Sequence, residues 1–171
     1  MSKALVVYFS HTGENYNVGT IETGNTELLA KEIIRQTGAD EFRIVPKKAY
    51  PEDYQEAVEV ATEERSQDAR PEYNGEIDIK DYDTIFLGYP IWWGDLPMVV
   101  YSFLDNHDFS GKTVIPFNTH EGSVNAGTYE DLKAELPSAN IIGGGFNMTG
   151  MRARTEEGIA ELGKWLENIK L

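Results

Sequence analysis

Lys3-Ala4-Leu5-Val6-Val7-Tyr8-Phe9-Ser10-His11-Thr12-Gly13 is the stretch that decides the fold. Its first seven residues form a near-continuous β-branched and aromatic run, the pattern of a strand buried on both faces. Its last four are small, polar and turn-forming. They lead towards Asn25–Gln36, where Leu28, Leu29, Ala30, Ile33 and Ile34 share one helical face before Gly38 stops the helix. A doubly buried strand followed by an amphipathic helix is the opening unit of a parallel sheet covered on both sides.

The same alternation continues along the chain. Glu41–Val45 reads as a second strand ended by Pro46, and Asp53–Ala69 as a helix with Tyr54, Ala57, Val58 and Ala61 at helical spacing. Residues 70–81, with Pro71, Asn74 and Gly75, read as a loop. Thr84–Tyr89 is the third strand, Met98–Leu104 a short helix, Lys112–Phe117 the fourth strand and Tyr129–Leu136 a helix stopped by Pro137. Asn140–Ile142 begins a fifth strand that runs into a strand end and turn at Gly143-Gly144-Gly145-Phe146. Thr155 is the expected N-cap of a last helix that buries Ile159, Leu162, Leu166 and Ile169, with Trp165 beside them. Five β–α units without repeat or linker predict one α/β domain over residues 1–171, with right-handed crossovers. Ligands of such sheets sit beyond the carboxyl ends of the strands. The loops after strands one, three and four are therefore where chemistry is sought.

Composition narrows the chemistry. At 171 residues the chain buries roughly 70% of its unfolded surface, enough for one core. It has no cysteine, so disulfides, thiolate nucleophiles and iron–sulfur clusters are excluded and redox chemistry must come from a cofactor. The histidines, at 11, 107 and 120, show no metal-ligand spacing, and no metal site is expected. A net charge of −14 repels nucleic acid and anionic lipid, and either steers basic partners or simply keeps the chain soluble. The apolar run at the N-terminus is too short for a signal peptide or a membrane span, so a cytoplasmic protein is expected.

The loop after strand one gathers hydroxyls, a glycine and an asparagine at a helix start. These donors and the helix dipole suit a phosphate held without lysine or arginine. Neither a nucleoside-triphosphatase loop nor a dinucleotide fingerprint is present. Ser10-His11-Thr12-Gly13 and Asn25-Thr26-Glu27-Leu28-Leu29-Ala30 resemble the two halves of the flavodoxin pattern [ST]-x-[ST]-G-[NQ]-[ST]-x-x-x-A, separated by eleven extra residues, Glu14–Gly24. The chain is thus similar to the bacterial flavodoxin-like branch with an insertion at this point. The resemblance implies a flavodoxin-like three-layer α/β/α fold, a five-stranded parallel sheet of order 2-1-3-4-5, and non-covalent FMN. It also implies phosphate contacts from Ser10, Thr12, Asn25 and Thr26, helped by the backbone of His11 and Thr12. The insertion is expected to form a lid over the cofactor or an interface.

The loop after strand three, Tyr89-Pro90-Ile91-Trp92-Trp93-Gly94-Asp95-Leu96-Pro97, offers aromatic faces and an open backbone to a flat ring. It resembles the flavin loop of the same branch and of related quinone reductases, which carries Pro90, Ile91, Trp92, Trp93 and Gly94 into the site. One indole is expected to pack inward and the other to border the flavin. The loop after strand four contributes Thr119, His120, Glu121, Gly122 and Ser123, where the resemblance implies contact with the pyrimidine end. Typical flavodoxins place a tyrosine on the second flavin face near this point. Here His120 or Glu121 stands in its place, so one face is expected to be open to a stacking substrate. Arg152 and Arg154 are read as solvated surface, or as contacts for nicotinamide-cofactor phosphates or a partner. The functional expectation is a low-potential electron carrier serving redox partner proteins. The alternatives are an FMN-dependent NAD(P)H:quinone-type oxidoreductase with a small quinone-like acceptor, or a non-catalytic module on the same fold. No side chain is assigned a catalytic role, and the oligomeric state is left open.

Overall fold

The computed structural model describes residues 3–142 and 144–169. In chain order these form β1 (Ala4–Tyr8), β2 (Gly13–Asn15), β3 (Gly19–Ile21), α1 (Asn25–Thr37), β4 (Asp40–Arg43), β5 (Val45–Pro46), α2 (Tyr54–Ser66) and β6 (Tyr73–Asn74). They continue as β7 (Thr84–Pro90), α3 (Met98–Asp105), β8 (Thr113–His120), α4 (Thr128–Glu135), β9 (Asn140–Ile141), β10 (Phe146–Thr149), α5 (Gly150–Ala153) and α6 (Glu156–Asn168). The central sheet runs β4-β1-β7-β8-β10, with every pairing parallel. Counted by strand position this is the expected order 2-1-3-4-5.

The period-2 alternation of β1 and β7 divides the core between the two faces of the sheet. Val6, Tyr8, Phe86, Ile115 and Phe117 meet Leu29 and Ile33 of α1 and Leu162 of α6. Leu5, Val7, Ile85, Leu87 and Val114 meet Val99, Val100 and Phe103 of α3 and Leu132 of α4. Each fully buried side chain of this size contributes about 1.5–3 kcal/mol over its exposed state. The helix ends follow their local signals. Gly38 closes α1 in the left-handed conformation, φ 70°, and the Thr155 hydroxyl caps α6 by accepting the Gly158 N–H at 3.0 Å.

Two local expectations are corrected. The fifth strand begins at Asn140, as read from the sequence, but breaks after Ile141 and resumes at Phe146, so Phe146 starts a strand instead of ending one. Gly143 lies outside the described residues. The break has a cause in β8. Asn140 and Ile141 pair with Thr113 and Val114, Phe146 pairs with Phe117, and the gap falls opposite Ile115 and Pro116. Proline has no N–H to donate to a ladder. Gly145 instead packs against the Pro116 carbonyl, where a Cβ would come within 2.5 Å. Second, residues 70–81 are not wholly loop, because Tyr73–Asn74 pairs with Val45–Pro46. Within the insertion Glu14–Gly24, Glu14–Ile21 forms an antiparallel hairpin together with Gly13, from Gly13↔Ile21 to Asn15↔Gly19.

Candidate functional site

The carboxyl ends of β1, β7 and β8 open into one cleft of about 350 Å³, a size suited to a small-molecule cofactor. One end of the cleft is the N-terminus of α1. The first N–H groups of a helix have no partner within it. The Ser10 hydroxyl accepts that of Glu27 at 3.0 Å, which leaves the amides of Asn25 and Thr26 as the donors nearest a ligand. Gly24 precedes the helix because nothing larger fits: a Cβ there would lie 2.0 Å from Ser10 Oγ and 2.8 Å from the His11 carbonyl. Thr26 is buried and its hydroxyl bonds to that of Thr119 at 2.8 Å, joining the loop after β1 to the end of β8. The donors are neutral and the dipole is positive, a chemistry that fits a phosphate.

The other end is aromatic and apolar. Trp92 and Asp95 close a tight turn through two backbone hydrogen bonds, N–H to carbonyl at 2.9 and 3.1 Å. Its central residues both have positive φ, 55° at Trp93 and 70° at Gly94, the signature of a type I′ turn. Such a position favours Asn or Gly, so Trp93 is held there at a conformational cost. Trp92 packs inward edge-on to Phe9, His11 and Tyr50, with centroids 5.3, 5.8 and 4.9 Å away. Trp93 stands exposed at the rim. Facing this turn, Tyr54, Ala57, Val58 and Ala61 of α2 line the cleft, and Tyr16 of the hairpin lies 6.0 Å from the Tyr54 ring.

The hairpin is a brace between two walls. At its base Glu14 donates its N–H to the Glu52 carbonyl at 2.6 Å and accepts the Tyr54 N–H, the first of α2, on its carboxylate at 3.3 Å. At its tip Asn17 donates to the Glu121 carboxylate at 3.1 Å. His120 has both ring nitrogens engaged. Nδ1 accepts the Gly122 N–H at 3.0 Å, so the proton sits on Nε2 and is directed at Asn147 Oδ1, 3.2 Å away. Burial holds its pKa below the ordinary 6.5. His120 is a neutral clasp on its loop. Among the described residues no cluster of His, Cys, Asp and Glu is arranged to hold a metal ion.

The flavodoxin family model matches residues 3–169. The chain belongs to the flavodoxin family. Similar solved structures include a candidate flavoprotein of Bacteroides eggerthii, 29% identical with a TM-score of 0.78 over 100% of this chain and 99% of that one. A second from Bacteroides uniformis is 28% identical, TM-score 0.77, covering 98% and 99%. A flavoprotein of Lactobacillus acidophilus solved in complex with FMN shares the fold at 21% identity and TM-score 0.67, covering 97% and 99%. Among curated proteins none matches the chain.

Of the residues picked out by sequence, this flavodoxin places His11, Asn25, Thr26, Pro90, Ile91, Trp92, Trp93, Gly94, Thr119, His120, Glu121 and Ser123 on the cleft wall. It keeps Ser10, Thr12 and Gly122 off that wall. Ser10 is buried and turned to the helix, and Gly122 serves the His120 clasp. The reading of the sequence missed the α2 wall, Tyr16, Glu14 and Asn15 as cleft residues. The signal was present in the Tyr54, Ala57, Val58 and Ala61 stripe, which resembles a core face. Only Ala57 of α2 is buried, so most of the stripe meets the cleft. Arg154 was also unassigned to the site; its Nη1 donates to Asn25 Oδ1 and to the Thr23 carbonyl, both at 3.0 Å. Among the described residues no helix is long and apolar enough to cross a membrane.

Proposed function

We propose that the protein is a low-potential electron carrier that works through FMN. The cofactor is FMN, as membership of the flavodoxin family implies. One observation carries the reading: a single cleft joins a helix N-terminus that suits a phosphate to an apolar, aromatic hollow that suits a flat ring. A neighbour of the same fold holds FMN. Bound here, FMN supplies the electron-accepting group that a chain without cysteine lacks. Asn25, Thr26 and the start of α1 hold the phosphate end, and the Trp92 turn and the α2 wall orient the ring. The charge of −14 opposes further negative charge at the site, which lowers the potential and draws basic surfaces of redox partners. The test is a spectroelectrochemical titration of the FMN-loaded protein. The expected result is two separated one-electron steps with a midpoint below that of free FMN; a single step at the free-FMN potential would refute the carrier reading.

A second reading, an oxidoreductase passing reducing equivalents from a nicotinamide cofactor to a quinone-like acceptor, is favoured by the α2 wall. Its part-exposed apolar stripe and the Tyr16–Tyr54 pair offer a flat acceptor a surface on which to stack. Anaerobic mixing with NADH or NADPH followed by a quinone distinguishes the two, since rapid bleaching with quinone turnover belongs to the enzyme alone.

A further inference from the structure

We propose that Arg154 is a positioning residue for the cofactor phosphate, acting through the side-chain amide of Asn25. The inference rests on the FMN reading above and concerns how this chain selects the phosphate. A phosphate dianion is expected at the start of α1, yet residues 10–24 contain no lysine or arginine. A cation reaches the loop from elsewhere. Arg154 Nη1 donates to the Thr23 carbonyl and to Asn25 Oδ1, each at 3.0 Å, and so ties together the two residues that flank the Gly24 N-cap.

The bond to Oδ1 has a directional consequence. An asparagine amide presents an acceptor on one side and two donors on the other, and an anion is attracted only by the donors. With Oδ1 held by a guanidinium, the NH₂ group is the side left for the phosphate. A bond from a charged donor also polarises the amide and strengthens those N–H groups. Gly150 backs the same amide so closely that a Cβ there would lie 2.2 Å from Asn25 Nδ2.

Arg154 is itself rigidly based. It follows α5, donates its N–H to the Met151 carbonyl, and immediately precedes Thr155, whose hydroxyl bonds back to the Arg152 carbonyl at 2.7 Å while capping α6. Its charge is also unspent. Arg152 pairs with Glu161 at 2.7 Å, whereas no ion pair among the described residues includes Arg154. Glu121 brings a carboxylate to the same corner by accepting the Gly150 N–H at 3.2 Å, which makes an unneutralised cation beside Asn25 matter more.

The test titrates the full-length apoprotein with FMN and, separately, with riboflavin, which has the ring and no phosphate. Wild type, Arg154→Gln, Arg154→Lys, Asn25→Ala and the Arg154→Gln/Asn25→Ala double variant are compared by flavin fluorescence quenching, with thermal melts to check folding. Arg154→Gln is expected to lose about 10-fold or more in FMN affinity, on the order of the loss seen when an outer partner of a metal ligand is removed, and about 2-fold or less in riboflavin affinity. Arg154→Lys should recover part of the loss, and it carries the test if the Gln variant does not fold. In the Asn25→Ala background the Arg154→Gln change should add little. Equal losses for FMN and riboflavin, or losses that add fully in the double variant, would overturn the role given to Arg154 while leaving the FMN reading intact. A wild-type protein that binds FMN no better than riboflavin would overturn both.

Discussion

The two ends of the cleft are built on opposite terms. The phosphate end is closed and cross-tied: Ser10 to Glu27, Thr26 to Thr119 and Arg154 to Asn25 join β1, α1, β8 and the α5–α6 link. The ring end is walled by side chains that leave part of themselves in solvent, with Tyr16, Tyr54 and Trp93 all exposed. The closed end lets the site choose one ligand and keep it, since hydrogen-bond donors held in place need no reorganisation when an anion arrives. The open end leaves the reactive ring within reach of something else. The electron carrier proposed above would need both properties, and this chain assigns them to different segments.

The contrast breaks first at Gly24. A Gly24→Ala substitution sets a Cβ onto Ser10 Oγ and releases the Glu27 N–H, combining overpacking with loss of a helix cap. The expected cost is about 3 kcal/mol, roughly 6–12 °C in melting temperature for a chain of this length, and calorimetry measures it. FMN affinity should fall by more than about tenfold alongside.

The adjacent tryptophans sharpen it. Trp92→Ala removes an indole packed on Phe9, His11 and Tyr50 and should cost about 2–3 kcal/mol in urea unfolding. Trp93→Asn should do the reverse and stabilise the fold by about 0.5 kcal/mol, because asparagine suits a positive φ and the indole is exposed. On the proposed carrier reading, reduction of the FMN-loaded variant by a small one-electron donor should slow, read by stopped-flow. A Trp93 variant that is less stable than wild type would mean that the indole is packed after all.

These differences explain how much was readable beforehand. The Lys3–Phe9 strand, the start of the first helix at Asn25 and the Thr155 cap depend on neighbours within a few residues, and the structure places each as read. The α2 stripe was ambiguous because Tyr54, Ala57, Val58 and Ala61 keep the same spacing whether they face a core or a cleft. The bond from the Glu27 N–H to the Ser10 hydroxyl was not legible, since sequence shows a hydroxyl's presence and not its direction. The broken fifth strand is the least local of all, because its cause, Pro116, belongs to a different strand and acts across the ladder.

The smallest expected effect lies at His120. Its folded pKa lies below the unfolded value, so the unfolded chain binds the extra proton. The resulting stability is present above the ordinary histidine pKa of 6.5 and is lost as pH falls below it towards the depressed folded value. Protonating Nδ1 also removes the acceptor for the Gly122 N–H. The protection factor of the Gly122 amide, its exchange rate set against the intrinsic rate at each pH, should therefore fall modestly in wild type as pH drops below 6.5. In His120→Gln the same pH step should leave that protection factor nearly unchanged.

The gap opposite Pro116 has a consequence for the molecule's behaviour in a crowd. Sheet margins are where proteins stick to one another, because an unpaired strand offers a long row of free peptide groups to any extended segment passing by. Among the described residues this margin consists of a two-residue piece and a four-residue piece, β9 and β10. One proline in the neighbouring strand thus leaves this border of the sheet too short to recruit a stranger.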